Sequence, residues 1–405
     1  MADVFKKTVL IWGMIVLSCL AGERRRVQLP DPNAPIRVSS ELLKKADDAT
    51  WGLPEIPGVE LKTVYRANPE TGTFVNHPQL AFFKGRMYVG FQLCPSNEDS
   101  NDSVAVYSSS VDLKTWTAPE VIGPPAEGNY FRASVGWMQD EKNLYALVLR
   151  RDEIGTVNET EYRVTSDGKT WSDLEVLVPD MMGSAGARPI TPGGRFLLSG
   201  HGDRERNGAV QYETVFYYHD GDDLSKGWVR SDSSHEILKY GSSDRVMSRG
   251  IEADWFRRPD GVLVQVQRDV VRSGYVMACV SDDQGATWGH PFLTDIPDSS
   301  NMQCAGNLPD GTCYMITTPG PVHVPNDNLQ PRMPLVLWLS RDGTVFDRAF
   351  LIRSTPPVRR YEGKSKTAGY SYVGALAHEE FLYITYATNK EDVEISCVPL
   401  VGLYD

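Results

Sequence analysis

The chain has 405 residues, 41% hydrophobic and 23% charged, a mix that excludes a disordered chain and a polytopic membrane protein. Asp and Glu number 53 against 41 Lys and Arg, a net charge of -12, and that balance argues against nucleic acid as a partner. With 35 Gly, 26 Pro and 10% aromatics among many short apolar runs, it reads as an all-β chain rich in turns.

The first element is an export signal. Lys6 and Lys7 precede an apolar run from Thr8 to about Leu20. That is signal-peptide length, short of the roughly 20 residues that span a bilayer. Residues 1–22 are therefore expected to direct export to the periplasm, the cell surface or the medium. Val16-Leu17-Ser18-Cys19 resembles a lipobox, in which Cys19 would carry the only membrane anchor. Cleavage after Ala21 or Gly22 would leave none. Arg24, Arg25 and Arg26 follow at once, which keeps an uncleaved anchor as a third reading. Residues 23–60 read as a polar lead-in with one short helix near Glu41–Ala46.

Residues 61–405 are organised by a repeat. Ser281-Asp282-Asp283-Gln284-Gly285-Ala286-Thr287-Trp288 fits S-x-D-x-G-x-T-W, with shorter forms ending at Trp116 and Trp171. Phe346 takes the Trp slot in another copy, and Asp223–Trp228 is a worn one. The box Asp residues fall at 112, 167, 223, 283 and 342, steps of 55, 56, 60 and 59. In such a box the Asp accepts backbone N–H bonds in a tight turn, Gly supplies positive φ, and the aromatic plugs the space between sheets.

A second series runs in phase. Tight turns occur at Lys84-Gly85, Asp140-Glu141, Gly193-Gly194, Asp260-Gly261, Asp310-Gly311 and Glu379-Glu380, each between two apolar runs. Each repeat thus reads strand, turn, strand, loop, strand, box, strand. Four antiparallel strands in about 57 residues make a β-propeller blade. The span holds six blades, with Leu61–Tyr65 supplying the last blade's outer strand and closing the ring. A seventh would require strands hidden in residues 23–60 or 230–250.

Six Cys stand at 19, 94, 279, 304, 313 and 397, with no C-x-x-C pair. Cys304 and Cys313 flank a turn, but Cys304 would face about residue 316. Buried free thiols are expected.

The boxes lie on one face of such a disc. The loops leading into first strands, and those joining second to third, lie on the other. These loops carry Glu98, Asp99, Arg132, Arg150, Arg151, Arg188, His201, Asp203, Glu252, Arg268, Asp269, Arg332 and Lys390. Several Arg converging on an axial cleft suit an anionic ligand, because guanidinium pairs carboxylate bidentately. His201 and Asp203 are close in sequence, but no second His lies near, so no metal or cofactor is expected.

Boxes and period together resemble the sialidase superfamily of six-bladed propellers, over about residues 60 to 400. That family holds a sugar carboxylate with three Arg and uses a Tyr nucleophile, a Glu partner and an Asp acid/base. Glu252, Arg268, Arg332 and the Tyr370 of Tyr370-Ser371 fit four of those slots. The first Arg slot differs, reading Val75-Asn76-His77-Pro78. That segment, with Asn97-Glu98-Asp99 and the ending Asn389–Glu394, resembles the α-L-rhamnosidases of glycoside hydrolase family 145 and related rhamnose–glucuronate lyases. Those propellers usually carry seven blades.

The resemblance implies an exported enzyme acting on a terminal sugar linked to a uronic acid. His77, Tyr370 and Glu252 would be catalytic. Asn76, Arg132, Arg150, Arg188, Arg268 and Arg332 would bind an anionic oligosaccharide or polysaccharide. Two alternatives stand beside it: an exo-α-sialidase-like hydrolase, and a propeller that binds glycans without cleaving them.

Overall fold

The repeat closes into a ring of six blades. A computed structural model describes residues 29–44, 48–128, 130–152, 158–206, 209–239, 246–320 and 331–404. The expected export signal and Cys19 lie outside these residues. The first strands are Phe74–Phe83, Tyr130–Gln139, Met182–Pro189, Gly250–Arg257, Cys304–Asn307 and Tyr370–His378. Each packs against the first strands of its neighbours, so these six surround the axis. The six predicted turns all join a first strand to a second. Glu60–Tyr65 pairs antiparallel with Asp392–Pro399 and closes the sixth blade. Closure leaves no open sheet end at the chain's two limits.

Burial explains the apolar runs. Leu335–Ser340, the third strand of blade 5, is buried at every residue because blades cover both its faces. The outer strands Glu120–Gly123 and Glu175–Val178 each expose their first two residues.

The boxes behave as the local chemistry predicts. Asp167 Oδ1 accepts the N–H groups of Lys169 at 2.8 Å and Thr170 at 2.7 Å. Asp342 Oδ1 does the same for Thr344 at 2.7 Å and Val345 at 2.9 Å. Box aromatics reach the preceding blade. Trp171 lies 5.6 Å from Tyr107, Trp288 lies 4.6 Å from Phe216 and Phe346 lies 5.8 Å from Phe256, ring centroid to centroid. Trp288→Ala should therefore lower unfolding free energy by about 3–5 kcal/mol in urea titration, the cost of a Trp-sized cavity. Trp288→Phe should cost much less, and equal losses would contradict a space-filling role.

Among the described residues of 230–250, no seventh blade forms. Val229–Arg230 is the outer strand of blade 3, and Val246–Ser248 extends that sheet by a parallel pairing. The lead-in is less polar in role than in composition. Arg37–Val38 pairs with Val345–Phe346, Ile36 and Trp51 are buried, and Trp51 meets Trp338 edge-on at 6.4 Å. The expected helix near Glu41 is a single 3-10 turn, Ser40–Leu43, and residues 45–47 lie outside the description. Cys94, Cys279, Cys304, Cys313 and Cys397 are buried and unpaired, and Cys304 faces Ile316.

Candidate active site

The inner strands share a device that aims side chains at the axis. A regular strand alternates its side chains across the sheet, so it presents only every second residue to one side. Here the pairing register slips between Asn76 and Gln79, Ser134 and Gly136, Gly183 and Ala187, Ile251 and Asp254, and Ser371 and Gly374. At these slips three non-glycine residues adopt left-handed backbone: His77 at φ 50°, Glu252 at φ 52° and Tyr372 at φ 55°. Ser300, just before the first strand of blade 5, has φ 60°. Blades 2 and 3 use Gly136 and Gly186 instead, at φ 118° and 76°. Positive φ on non-glycine residues costs energy and concentrates at functional sites.

These side chains meet. The His77 and Tyr372 rings are 4.0 Å apart. The Arg332 guanidinium carbon and the Lys390 ammonium each lie 5.2 Å from the Tyr372 ring centre. Arg268 Nη1 donates to Glu252 Oε2 at 2.9 Å, and its Nε to Ser300 Oγ at 3.3 Å. Lys390 Nζ donates to Glu98 Oε1 at 2.6 Å, and Asn76 Nδ2 donates to the same oxygen at 2.7 Å. Arg332 is only 7% exposed, and its Nη1 is buried with no protein acceptor. His77 Nδ1 is likewise buried without a partner.

Burial and charge set the protonation states. Burial pulls His77 down to about 4, so the imidazole is neutral near pH 7. His201, which feels the charges of Glu252 and His77, is pulled by burial to about 3. Burial opposes the charge on Glu252, but the adjoining Arg268 outweighs it and holds the carboxyl at about 2. Glu98 is also held low, Lys390 overcoming its burial. Asp99 goes the other way: burial, then the neighbouring Glu98, push it up to about 6. Burial, reinforced by Glu252 and Glu98, raises the Tyr372 phenol, which stays protonated. Burial and the nearby Arg268 lower Arg332, whose guanidinium nonetheless remains charged.

The predicted residues divide. His77, Glu252, Asn76, Arg268 and Arg332 come together in one buried cluster. Glu252 and Arg268 form an ion pair between strands within this cluster. Tyr370 does not join them. It is fully buried among Leu335, Ile384 and Val398, with its ring 5.2 Å from Tyr386, and Tyr372 takes its place. Arg132 is consumed within blade 2 by Glu161, at 2.7 and 3.1 Å, and by Pro124 O. Arg150 pairs with Glu159 and covers the Tyr130 ring at 4.3 Å. Arg188 ties blades 3, 4 and 5 together: it pairs with Asp254 at 2.8 Å and donates to Trp255 O and Ala305 O. Of the charged loop residues, Lys390, His201, Glu98 and Asp99, the last two acid/base candidates from the sequence, also belong to the cluster. Among the described residues, no group of three His, Cys, Asp or Glu is arranged to hold a metal.

A family model described as BNR repeat-like domain matches residues 85–386. No curated protein matches the sequence. Solved structures share the fold. One, named a sialidase, aligns over 90% of this chain and 35% of its own, with a TM-score of 0.54 and 18% identity. A protein of unknown function from Dyadobacter fermentans aligns over 85% of this chain and 100% of its own, with a TM-score of 0.61 and 16% identity. A Trypanosoma rangeli sialidase mutant displaying trans-sialidase activity aligns over 85% of this chain and 60% of its own, with a TM-score of 0.60 and 13% identity. The chain therefore spans about a third of the first structure and 60% of the trypanosomal enzyme. At these identities the likeness is one of fold.

Proposed function

The chain belongs to the BNR repeat-like family, as a six-bladed sialidase-like propeller, and from that premise we propose that it is a carbohydrate-active enzyme whose axial cleft cleaves a sugar linked to a uronic acid. The observation that carries this is Arg332. A buried guanidinium with an unpartnered Nη1, beside Arg268 and Tyr372, needs an anionic oxygen to complete it. A uronate carboxylate supplies one. An exported enzyme would meet such glycans outside the cell.

Elimination fits the protonation states best. Arg268 and Arg332 would neutralise the carboxylate and acidify the proton on C5. Neutral His77 would take that proton. The C4–O bond would break as the C4–C5 double bond forms, and the protonated Tyr372 would give its proton to the departing oxygen. The terminal sugar, rhamnose in the reading favoured by Asn76-His77-Pro78, leaves with a free hydroxyl.

One observation favours a second reading. Asp99, pushed to about 6, is placed in charge state to act as a general acid in hydrolysis, with Tyr372 as nucleophile. Against it, Glu252 is held by Arg268 at about 2, which makes it a weak base for a phenol.

Arg332→Met tests the anion site. Calorimetry with glucuronate should show a loss of about 2–5 kcal/mol in binding, the cost of removing a buried charge contact. Arg132→Met, which removes an arginine already spent on Glu161, should leave the affinity unchanged. Equal affinities for Arg332→Met and the unaltered protein would remove the support for a carboxylate there.

A further inference from the structure

Tyr370 and Tyr372 are two residues apart on one strand, so a regular strand would point both the same way. They do not point the same way, and the cause lies in the neighbouring blade. Asn301 sits in the loop leading into the first strand of blade 5 and is 1% exposed. Its Nδ2 donates to Tyr370 O at 2.9 Å, and its Oδ1 accepts from Tyr372 N at 3.2 Å. One carboxamide therefore occupies backbone groups on both sides of Ser371, where the register slips.

We propose that Asn301 is a positioning residue that holds Tyr372 in its left-handed conformation and so decides which tyrosine faces His77. The loop is built to keep it there. Asp298 Oδ2 accepts Asn301 N at 2.8 Å and the Gln303 carboxamide at 3.0 Å, while Asp298 Oδ1 accepts Thr318 N at 3.2 Å. The residue before Asn301 is Ser300, whose hydroxyl receives Arg268 Nε. Adjacent loop residues thus fix an arginine of blade 4 and a tyrosine of blade 6. The Asn301 Nδ2 also donates to Thr318 Oγ1 at 3.3 Å, so both its hydrogens are taken within the protein. Asn301 acts through the backbone of the next blade, across the seam between blades 5 and 6. Without the clamp the bulge can relax towards regular pairing, which relieves the strained φ and moves the phenol away from His77.

The effect on rate rests on the elimination reading above, but the conformational effect does not. The test uses the full chain labelled with 3-fluorotyrosine, with the Tyr372 fluorine resonance assigned by its absence in Tyr372→Phe. The His77 ring at 4.0 Å gives that resonance a position-dependent ring-current shift. In Asn301→Ala the Tyr372 resonance should move or broaden, and kcat should fall roughly 100-fold, as for a misplaced reacting group. KM should change little, because Arg268 and Arg332 remain. Asn301→Asp keeps the acceptor for Tyr372 N and loses the donor to Tyr370 O, so it should fall between. It also carries the test should the alanine variant fail to fold. An unmoved Tyr372 resonance in a folded variant overturns the proposal. A moved resonance in a protein that cleaves no uronate upholds the positioning role and removes the functional reading instead.

Discussion

His77→Ala should cut turnover on a uronate-linked substrate by roughly 100-fold or more, the range for loss of a general base. The imidazole is suited to that task by position and charge. It sits at a register slip, 4.0 Å from the Tyr372 ring, with an unpartnered Nδ1. Burial keeps it neutral down to about 4. The sign of the pH dependence follows. A base that must be unprotonated is inactive below its own pKa and active above it. Elimination should therefore switch on as pH rises through about 4 and stay level through neutral pH, because the raised Tyr372 phenol keeps its proton there. Hydrolysis with Asp99 as acid should instead decline as pH rises through about 6. A profile falling in that window, with an active His77→Ala variant, would move the proton chemistry to Asp99.

Tyr372→Phe should cost roughly 100-fold or more in kcat on a natural leaving group, whereas Tyr370→Phe should leave turnover unchanged. The contrast rests on placement alone, since Tyr370 is enclosed by the blade 5 and 6 core and Tyr372 lies against His77, Arg332 and Lys390. A second measurement separates the two roles open to Tyr372. A leaving group that departs as a phenolate needs no proton. If Tyr372 is the acid, such a substrate restores much of the lost rate. If Tyr372 is the nucleophile, the Phe variant stays inactive on every substrate. Activity lost in Tyr370→Phe and kept in Tyr372→Phe would reverse the assignment.

The propeller was legible because its signals are local and repeated. Asp, Gly and an aromatic at fixed offsets write a turn, and five boxes in step with six hairpin turns write a ring. Residues 61–65 were readable as the closing strand because a ring needs one. The site was legible only in part. Glu252, Arg268 and Arg332 could be named because they fit slots of the sialidase resemblance, and His77 because it enters where that family's first Arg would stand. Tyr372 was missed because the register slip at Ser371 has no sequence mark of its own. A count from the hairpin would have found it. His77 lies seven residues before Lys84, and Tyr372 lies seven before Glu379, the two residues that open equivalent turns with φ 48° and 50°. Arg132, Arg150 and Arg188 misled for the opposite reason. Sequence gives an arginine's charge but not its partner: Glu161 and Glu159 come from another strand of the same blade, and Asp254 from the next blade.

The proposed chemistry joins a carboxylate clamp to a neutral base and a protonated phenol. Its most direct test is to incubate the protein with rhamnose-capped arabinogalactan, following free rhamnose and the ultraviolet absorbance of an unsaturated uronate, with a sialoside in parallel. Rhamnose released in step with rising absorbance is the predicted result. Rhamnose without absorbance would mean hydrolysis and shift the acid role to Asp99. Sialic acid release would contradict the reading of Asn76 and His77, and binding without any product would leave a glycan-binding propeller in place of an enzyme.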